Sequence, residues 1–238
     1  DFVSADQLNH EDNQKIRATL LGKRVAELYL DPYSAHFIIE CLKAGSGRIV
    51  RSFSLLQMIS HTLEMRPLLR VKTREYDLIQ EKLAEYDGLL LEREPSIYDP
   101  EYEDFLNSIK TAMFFQDWID EKDEEYLLET YDIRPGEIQA KLEIGEWLLY
   151  ATEELLKILH FQHLLSEVMK LRLRLKYGVR EELLPLVKLR NIGRVRARML
   201  YRNNIRNIGD VKKADLTTLV QILGRAIAIE VKEQVGQT

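Results

Sequence analysis

Between Leu189 and Tyr201 an apolar helix end runs into Ile192-Gly193, and a second helix begins at once with three arginines in five residues. So short a joint leaves room only for a tight helical hairpin. Gly193 removes a Cβ where the chain turns and where a phosphate could approach the backbone. The N–H groups that open the next helix lack intrahelical partners and point outward, which suits an anion. Arg194, Arg196 and Arg198 set charge beside them, and Arg202 continues the series. This is a helix-hairpin-helix pattern, whose usual ligand is a nucleic-acid backbone. The alternative is an ordinary helical hairpin with a solvated basic face. Ile222-Leu223-Gly224-Arg225-Ala226 weakly echoes the motif, so two pseudo-repeated hairpins are expected.

Charge along the chain is segregated in the same sense. The net charge of the 238 residues is -5. From Leu171 to Thr238 there are 15 Lys+Arg against 6 Asp+Glu, a local +9, which leaves -14 on the rest. From Arg190 to Arg206 there are six arginines and no acid. Such asymmetry marks one end of the molecule for a polyanion. Scarce Gly and Pro, abundant charge and aliphatics at helical spacing give a mostly helical composition, long enough for two or three small domains. Cys41 is the single cysteine, which excludes an intrachain disulfide and fits a reducing, intracellular setting. No apolar run approaches the roughly 18 residues of a membrane span. The chain opens on Asp1 rather than Met, so a piece of something longer is expected.

Residues 1–12 read as a frayed polar lead-in. Asn13 to Leu30 reads as a helix ended by Asp31-Pro32. Ser34 is expected to cap a second helix through Leu42, and Ser52 or Ser54 to open a third through Leu63. Pro67 to Val71 reads as a short extended piece, and Thr73 to Tyr86 as a fourth helix. Short helices with one extended piece predict a winged-helix unit over residues 1–86. Beyond an acidic, aromatic stretch, helices are expected over Glu101–Glu121 and Glu124–Thr130. Asp132 should cap a long helix that carries Pro135 in its first turn and runs to about His160. Another helix, Gln162 to Tyr177, should end on Gly178 as its C-cap. The remainder reads as a terminal helical cluster.

In the long helix, Ile138, Leu142, Gly145, Leu148, Leu149, Leu156 and Leu159 share a face, and Trp147 lies roughly 200° from Gly145. Its neighbours there are Gln139, Glu143, Tyr150 and Glu154. A Trp on that side is either a stacking platform for an unpaired base, worth about 1–3 kcal/mol, or packing in a helix covered on both sides. His160 and His163 lack a third ligand at metal spacing. The acids Asp117, Asp120, Glu121, Asp123, Glu124 and Glu125 read as a solvated surface, and Phe114, Phe115 and Trp118 as core. GxSxG, GxxxxGK[ST] and DExH patterns are absent from the sequence, so nothing in it supports ATP hydrolysis by this chain alone.

Seven separated strings together resemble the archaeal Hjm-type DNA helicases of superfamily two, relatives of the animal fork-repair helicase and of the helicase half of polymerase theta. They are Thr19 to Ala35 (TLLGKRVAELYLDPYSA), Lys110-Thr111-Ala112, Asp117-Trp118-Ile119, Pro135-Gly136-Glu137-Ile138, Glu146-Trp147-Leu148, Leu173 to Val179 (LRLKYGV) and Ile192 to Arg198 (IGRVRAR). They stand in the family's order and cover nearly the whole chain. The resemblance implies a mainly α protein made of a winged-helix domain (1–86), a helical ratchet bundle (87–178) and a helix-hairpin-helix domain (179–238). It implies that two motor domains, with ATP and Mg, precede this part and that the chain itself holds no cofactor. It also implies that Trp147 stacks on a base and that Arg196-Ala197-Arg198 grips the emerging single strand and restrains unwinding. The family's partner arginine is not preserved; Ala140 falls there, with Gln139 beside it on Trp147's face.

The expected function is therefore the DNA-handling part of an ATP-dependent 3′–5′ helicase of fork repair. Trp147, Gln139, Gly193, Arg194, Arg196, Arg198 and Arg202 are its expected DNA contacts. Single-stranded and forked DNA are the expected partners, with a single-strand-binding protein or another fork protein as a further one. No membrane is expected, and the chain is read as a monomer that is cytoplasmic and nucleoid-associated. Scattered basic residues in the first domain (Lys23, Arg24, Lys43, Arg48, Arg51) favour protein contact there over base reading. The rival readings are a protein-docking module, a stand-alone DNA-binding regulator and, more remotely, a nuclease.

Overall fold

The computed structural model describes residues 2–5 and 16–236. Among them β1 (Val3–Ala5) pairs antiparallel with β2 (Ile16–Ala18), Val3 facing Ala18. The helices that follow are α1 (Leu20–Glu27), α2 (Pro32–Gly45), α3 (Ser52–Ser60), α4 (Tyr76–Glu85), α5 (Tyr102–Ile119), α6 (Glu124–Tyr131), α7 (Pro135–Leu159) and α8 (Gln162–Tyr177). A terminal group follows: α9 (Leu184–Val187), α10 (Arg194–Arg202), α11 (Ile208–Lys213), α12 (Leu216–Leu223) and α13 (Arg225–Gln234). The described chain is mainly helical, as the spacing of its aliphatics predicts.

The start of the chain departs from expectation. Residues 3–5 form a strand, and the first helix opens at Leu20 rather than near residue 13, a position outside the described residues. Thr19 caps α1 by accepting from Gly22 N at 3.0 Å, and its own N–H and hydroxyl both donate to Phe2 O. The lead-in crosses α1 so closely that a Cβ on Gly22 would lie 1.9 Å from Phe2 O. Glycine is required there by contact, whatever the helix propensity. Asp31-Pro32, expected only to stop a helix, instead starts one. Asp31 accepts from Tyr33 N at 2.8 Å, and Pro32 takes the first-turn position where its missing N–H costs nothing. Ser34, the expected cap, lies buried inside α2 and accepts from Leu63 N.

Two further expectations change in detail. Asp132 does not cap α7; it ends α6 in the left-handed region (φ 52°), while Glu137 reaches back to Arg134 N at 2.7 Å to open α7. Pro67–Val71 has no regular secondary structure and joins no sheet among the described residues. Its backbone is bonded instead by side chains of two helices: Lys141 Nζ donates to Pro67 O (2.7 Å), Leu69 N to Thr111 Oγ1 (3.1 Å), Lys110 Nζ to Arg70 O (2.9 Å) and Val71 N to Asn107 Oδ1 (2.8 Å). Helix side chains thus take the place of a neighbouring strand.

One core runs from Val25 in α1 to Leu175 in α8. Phe53, Phe105, Phe114 and Phe115 are fully buried in it, each worth about 1.5–3 kcal/mol of burial. Residues 53–60 of α3 are all buried, so that helix is the axis about which α2, α5, α7 and α8 pack. The core continues without a break across residues 86 and 87, joining Tyr86 and Leu91 to Phe105. A second core, Val179 to Val231, belongs to the terminal helices. Gly178 (φ 61°) ends α8 between the two, in the C-cap role expected of it.

Candidate nucleic-acid interface

The turn before α10 is built from the tail's own apolar frame. Ile192, Ala197 and Leu200 are buried in the second core, which leaves Val195, Arg196, Met199 and Arg202 facing outward. The left-handed residue of the turn is Asn191 (φ 63°), tied by its amide to both carboxylate oxygens of Glu230. Gly193 stands at the N-cap of α10 with ordinary extended backbone (φ -90°, ψ -172°), and an added Cβ would meet nothing within 4 Å. Neither strain nor packing demands glycine at this position. A second hairpin, α12 to α13, carries Gly224 (φ 80°) at the equivalent N-cap, matching the weak sequence echo. Neither helix has a side-chain cap on its first N–H groups.

Around these turns basic side chains predominate. Lys188, Arg190, Arg196, Arg202, Arg206, Lys212, Lys213 and Arg225 are all exposed. Among the nearby acids, Asp215 caps α12 by accepting from Thr218 N, Asp210 in the first turn of α11 accepts from Asn207 Nδ2 and Arg206 N, and Glu230 of α13 accepts from the Asn191 amide, while Glu233 is exposed. Exposed cations outnumber the carboxylates here, and most of those carboxylates are already bonded within the tail, an arrangement that attracts polyanions.

The three arginines expected to act together on phosphates are divided. Arg196 is exposed, with one N–H donated to Asn191 O at 2.9 Å. Arg198 turns inward: its Nε donates to Glu121 Oε2 at 2.7 Å and its Nη2 to Glu182 Oε1 at 2.8 Å and to Glu121 Oε1. Arg194 is half-buried, donates to Lys122 O and lies 5.2 Å from the centre of the Trp118 ring. Trp118 in turn donates to Leu175 O at 2.7 Å and packs so closely on Gly178 that a Cβ there would come within 2.7 Å of the ring. Glu121 also accepts from Arg180 N at 3.1 Å. Trp118, Glu121, Arg194 and Arg198 therefore form the joint between the bundle and the tail. Burial pushes the Glu121 carboxyl up, but the bonds from Arg198 and Arg180 outweigh it and hold the group below its ordinary range.

The acidic stretch read as a solvated surface is thus partly internal. Asp117 accepts from the Tyr131 hydroxyl at 2.7 Å, Asp123 caps α6, and Glu121 anchors the tail. Phe114 and Phe115 are core as expected, whereas Trp118 sits at the edge where the two cores meet. Among the described residues no cluster of three or more metal-ligating side chains occurs.

On α7, the face that carries Trp147 is partly covered. Trp147 is half-buried against α1 and donates to Leu28 O at 3.2 Å, so part of the ring packs and part stays open. Gln139 is exposed and donates to Glu143 at 2.7 Å. Farther along, Arg24 bridges from α1 to Glu154 (2.5 Å), and Arg172 of α8 pairs with Glu153 (3.0 Å) and covers the Tyr150 ring. Of the other basic residues around the first helices, Lys43 pairs with Glu40, Arg48 donates to Ala44 O, Arg51 lies over Tyr86, and Lys23 is exposed.

Sequence reasoning missed the joint. Its partners are separated by 77 positions, and Glu121 stands in a run of acids with nothing local to single it out.

Among the described residues no helix is long and apolar enough to cross a membrane. A family model described as "Archaeal helicase, domain 4" matches residues 53–178. The chain is 36% identical over 236 residues to the ATP-dependent DNA helicase Hel308 of Caldivirga maquilingensis, an alignment covering 95% of this chain and 31% of that protein. It is 39% identical over 219 residues to the protein of that name from Methanocaldococcus jannaschii, covering 92% of this chain and 17% of the relative. With that of Thermococcus kodakarensis it shares 36% identity over 230 residues, 96% of this chain and 20% of the relative. The chain spans less than a third of the length of these relatives. The matched segment runs from Phe53, the second residue of α3, to Gly178, the cap of α8, which is more than half of the chain, and the chain belongs to the archaeal helicase domain 4 family.

Proposed function

We propose that this chain is the DNA-handling C-terminal part of an ATP-dependent DNA helicase that unwinds 3′–5′ in replication-fork repair, and that it binds and restrains the unwound single strand. The observation that carries this reading is the predominantly basic face around α10 and α13, whose nearby carboxylates are mostly bonded within the tail and which is locked to the helical bundle through Arg198 and Trp118. The names of the relatives support the helicase assignment. In this reading residues 1–86 are a winged helix, 87–178 the ratchet bundle and 179–238 a helix-hairpin-helix domain. ATP and Mg belong to motor domains of the whole protein, outside this chain. Arg196, Arg202 and the open N–H groups after Gly193 hold phosphates of the exiting strand. Arg194 and Arg198 join them only by giving up bonds to the bundle. Trp147 offers its uncovered part to a base, and Gln139, two turns earlier, offers an amide. The protein acts as a monomer on forked and single-stranded DNA, inside the cell and at the nucleoid.

Fluorescence anisotropy of a labelled single strand and of a duplex, across salt concentrations, tests this. The expected outcome is a preference for the single strand with a steep salt dependence, weakened by Trp147→Ala. Absence of binding at low salt refutes it.

A second reading, a docking module for a fork protein, is favoured by one observation: Leu20, Tyr29 and Tyr33 are 73%, 90% and 65% exposed near one another in sequence. Capture of a single-strand-binding protein by the intact chain, lost in Tyr29→Ser with Tyr33→Ser, would support it.

A further inference from the structure

The basic tail has an apolar groove at its centre, between the start of α10 and the end of α12. It is open to solvent, holds about 450 Å³ and is walled by Val195, Met199, Ile222 and Leu223. Val195 is 70% and Met199 40% exposed, on a helix whose other outward residues are arginines. Gly193 and Arg196 form part of its lining, and no acidic side chain does. The volume falls within the roughly 300–1,000 Å³ of small-molecule sites. Exposed apolar side chains gathered in one concave place, inside a field of positive charge, call for a ligand that is flat and apolar on its face and anionic at its edge.

We propose that this groove seats one unstacked nucleobase of a single strand, whose flanking phosphates lie against Arg196 and the opening N–H groups of α10. The proposal rests on the reading of this chain as a DNA-handling module and names what its basic face takes in addition to phosphate. A base within a duplex keeps its faces stacked and offers only its edges, so the groove selects unpaired strand. Met199 supplies a soft, polarisable sulfur for contact with a heteroaromatic ring. Gly193 acquires a reason that the fold does not provide. Its backbone conformation suits any residue and no neighbour crowds it, yet a side chain there would project from the lining of the groove. An acidic or neutral peptide would fill the apolar walls equally well but would leave the opening N–H groups of α10 without the regularly spaced anions that a nucleic-acid strand brings.

The test compares two labelled oligonucleotides of equal length and charge, one of thymidines and one wholly abasic, binding to the full chain. The expected result is that the intact strand binds about five-fold or more tightly than the abasic one. Val195→Ser with Met199→Ser should remove most of that ratio, and since both side chains are exposed the variant should unfold at the same temperature as the parent. Arg196→Ala should weaken both strands alike and leave the ratio. Equal binding of the two strands by the parent protein overturns the base seat while leaving the phosphate contacts standing. A ratio that persists in the double variant also overturns it and assigns base discrimination elsewhere, with Trp147 the first place to look. Failure of both strands to bind at low salt overturns the DNA-handling reading itself.

Discussion

At the scale of single residues, charge count and charge availability are different quantities. The sequence places Arg194, Arg196 and Arg198 on one short helix, and three side chains at successive even positions cannot all share a face at 100° per residue. The structure resolves them into Arg196, exposed, and Arg194 and Arg198, engaged with the bundle. Their substitutions should therefore behave differently. Arg196→Ala with Arg202→Ala should leave thermal stability unchanged, because both side chains are exposed. It should also reduce the slope of log affinity against log salt by about two, one for each lost phosphate contact. Arg198→Ala should cost about 1.5–3 kcal/mol of stability, the range for hydrogen bonds to charged partners, since it strips Glu121 and Glu182 of their common donor. The two readouts are anisotropy titrations across salt and denaturant unfolding of the same preparations. A salt slope that falls only in the Arg198 variant would invert the assignment.

At the scale of elements, what is legible in the sequence follows from how local the cause is. α8 occupies the span its periodicity predicts, because periodicity and a terminal glycine are local signals. Periodicity places the first helix too early because Ile16 and Leu20 fit a helical stripe, while the cause of the true start is Thr19 bonded to Phe2, a contact across 17 positions. The segment Pro67–Val71 is legible as a break between helices, yet its partners are not. A strand signal implies a neighbouring strand, whereas here the backbone is received by Asn107, Lys110, Thr111 and Lys141. The same bonds give a role to one short string of the family resemblance, since Lys110 and Thr111 hold this strap. Within the candidate site, Gly193, Arg196 and Arg202 are legible because an exposed turn announces itself in one short string. Glu121 and Trp118 are not, because a joint is defined by residues far apart. Thr111→Val should expose the strap's dependence on the helix. The valine keeps the shape but leaves Leu69 N–H without its acceptor in the interior, an omission that costs about 1–3 kcal/mol. Denaturant midpoints should fall accordingly while affinity for a single strand stays the same. An unchanged midpoint would mean that the segment is held by its leucines alone.

At the scale of the whole molecule, the basic tail is a second core fixed to an acidic bundle, and the fixing is electrostatic at one place. Glu121 sits there with its side chain 14% exposed, facing Arg198 at 20%, so solvent screens the pair only in part. Burial works against its ionised form and the bonds from Arg198 and Arg180 work for it, with the net effect that its folded-state carboxyl titrates below the ordinary value of 4.5. A carboxyl depressed by folding adds stability that is complete above the unfolded value and disappears as pH falls through the folded one. The joint should accordingly be intact at neutral pH and loosen only below about pH 4.5. Trp118 provides the probe, since its ring lies under Arg194 and the chain has just one other tryptophan, Trp147. In a Trp147→Phe background, Trp118 fluorescence followed from pH 7 to pH 3 should change in that acidic window before the far-ultraviolet helical signal is lost. Glu121→Gln should shift the neutral-pH spectrum toward the acid one and flatten the titration, because an amide keeps the volume and loses the charge. If Glu121→Gln instead titrates like its parent, the tail is held to the bundle by apolar contact between α8 and α9, and the arginine pair merely decorates that contact.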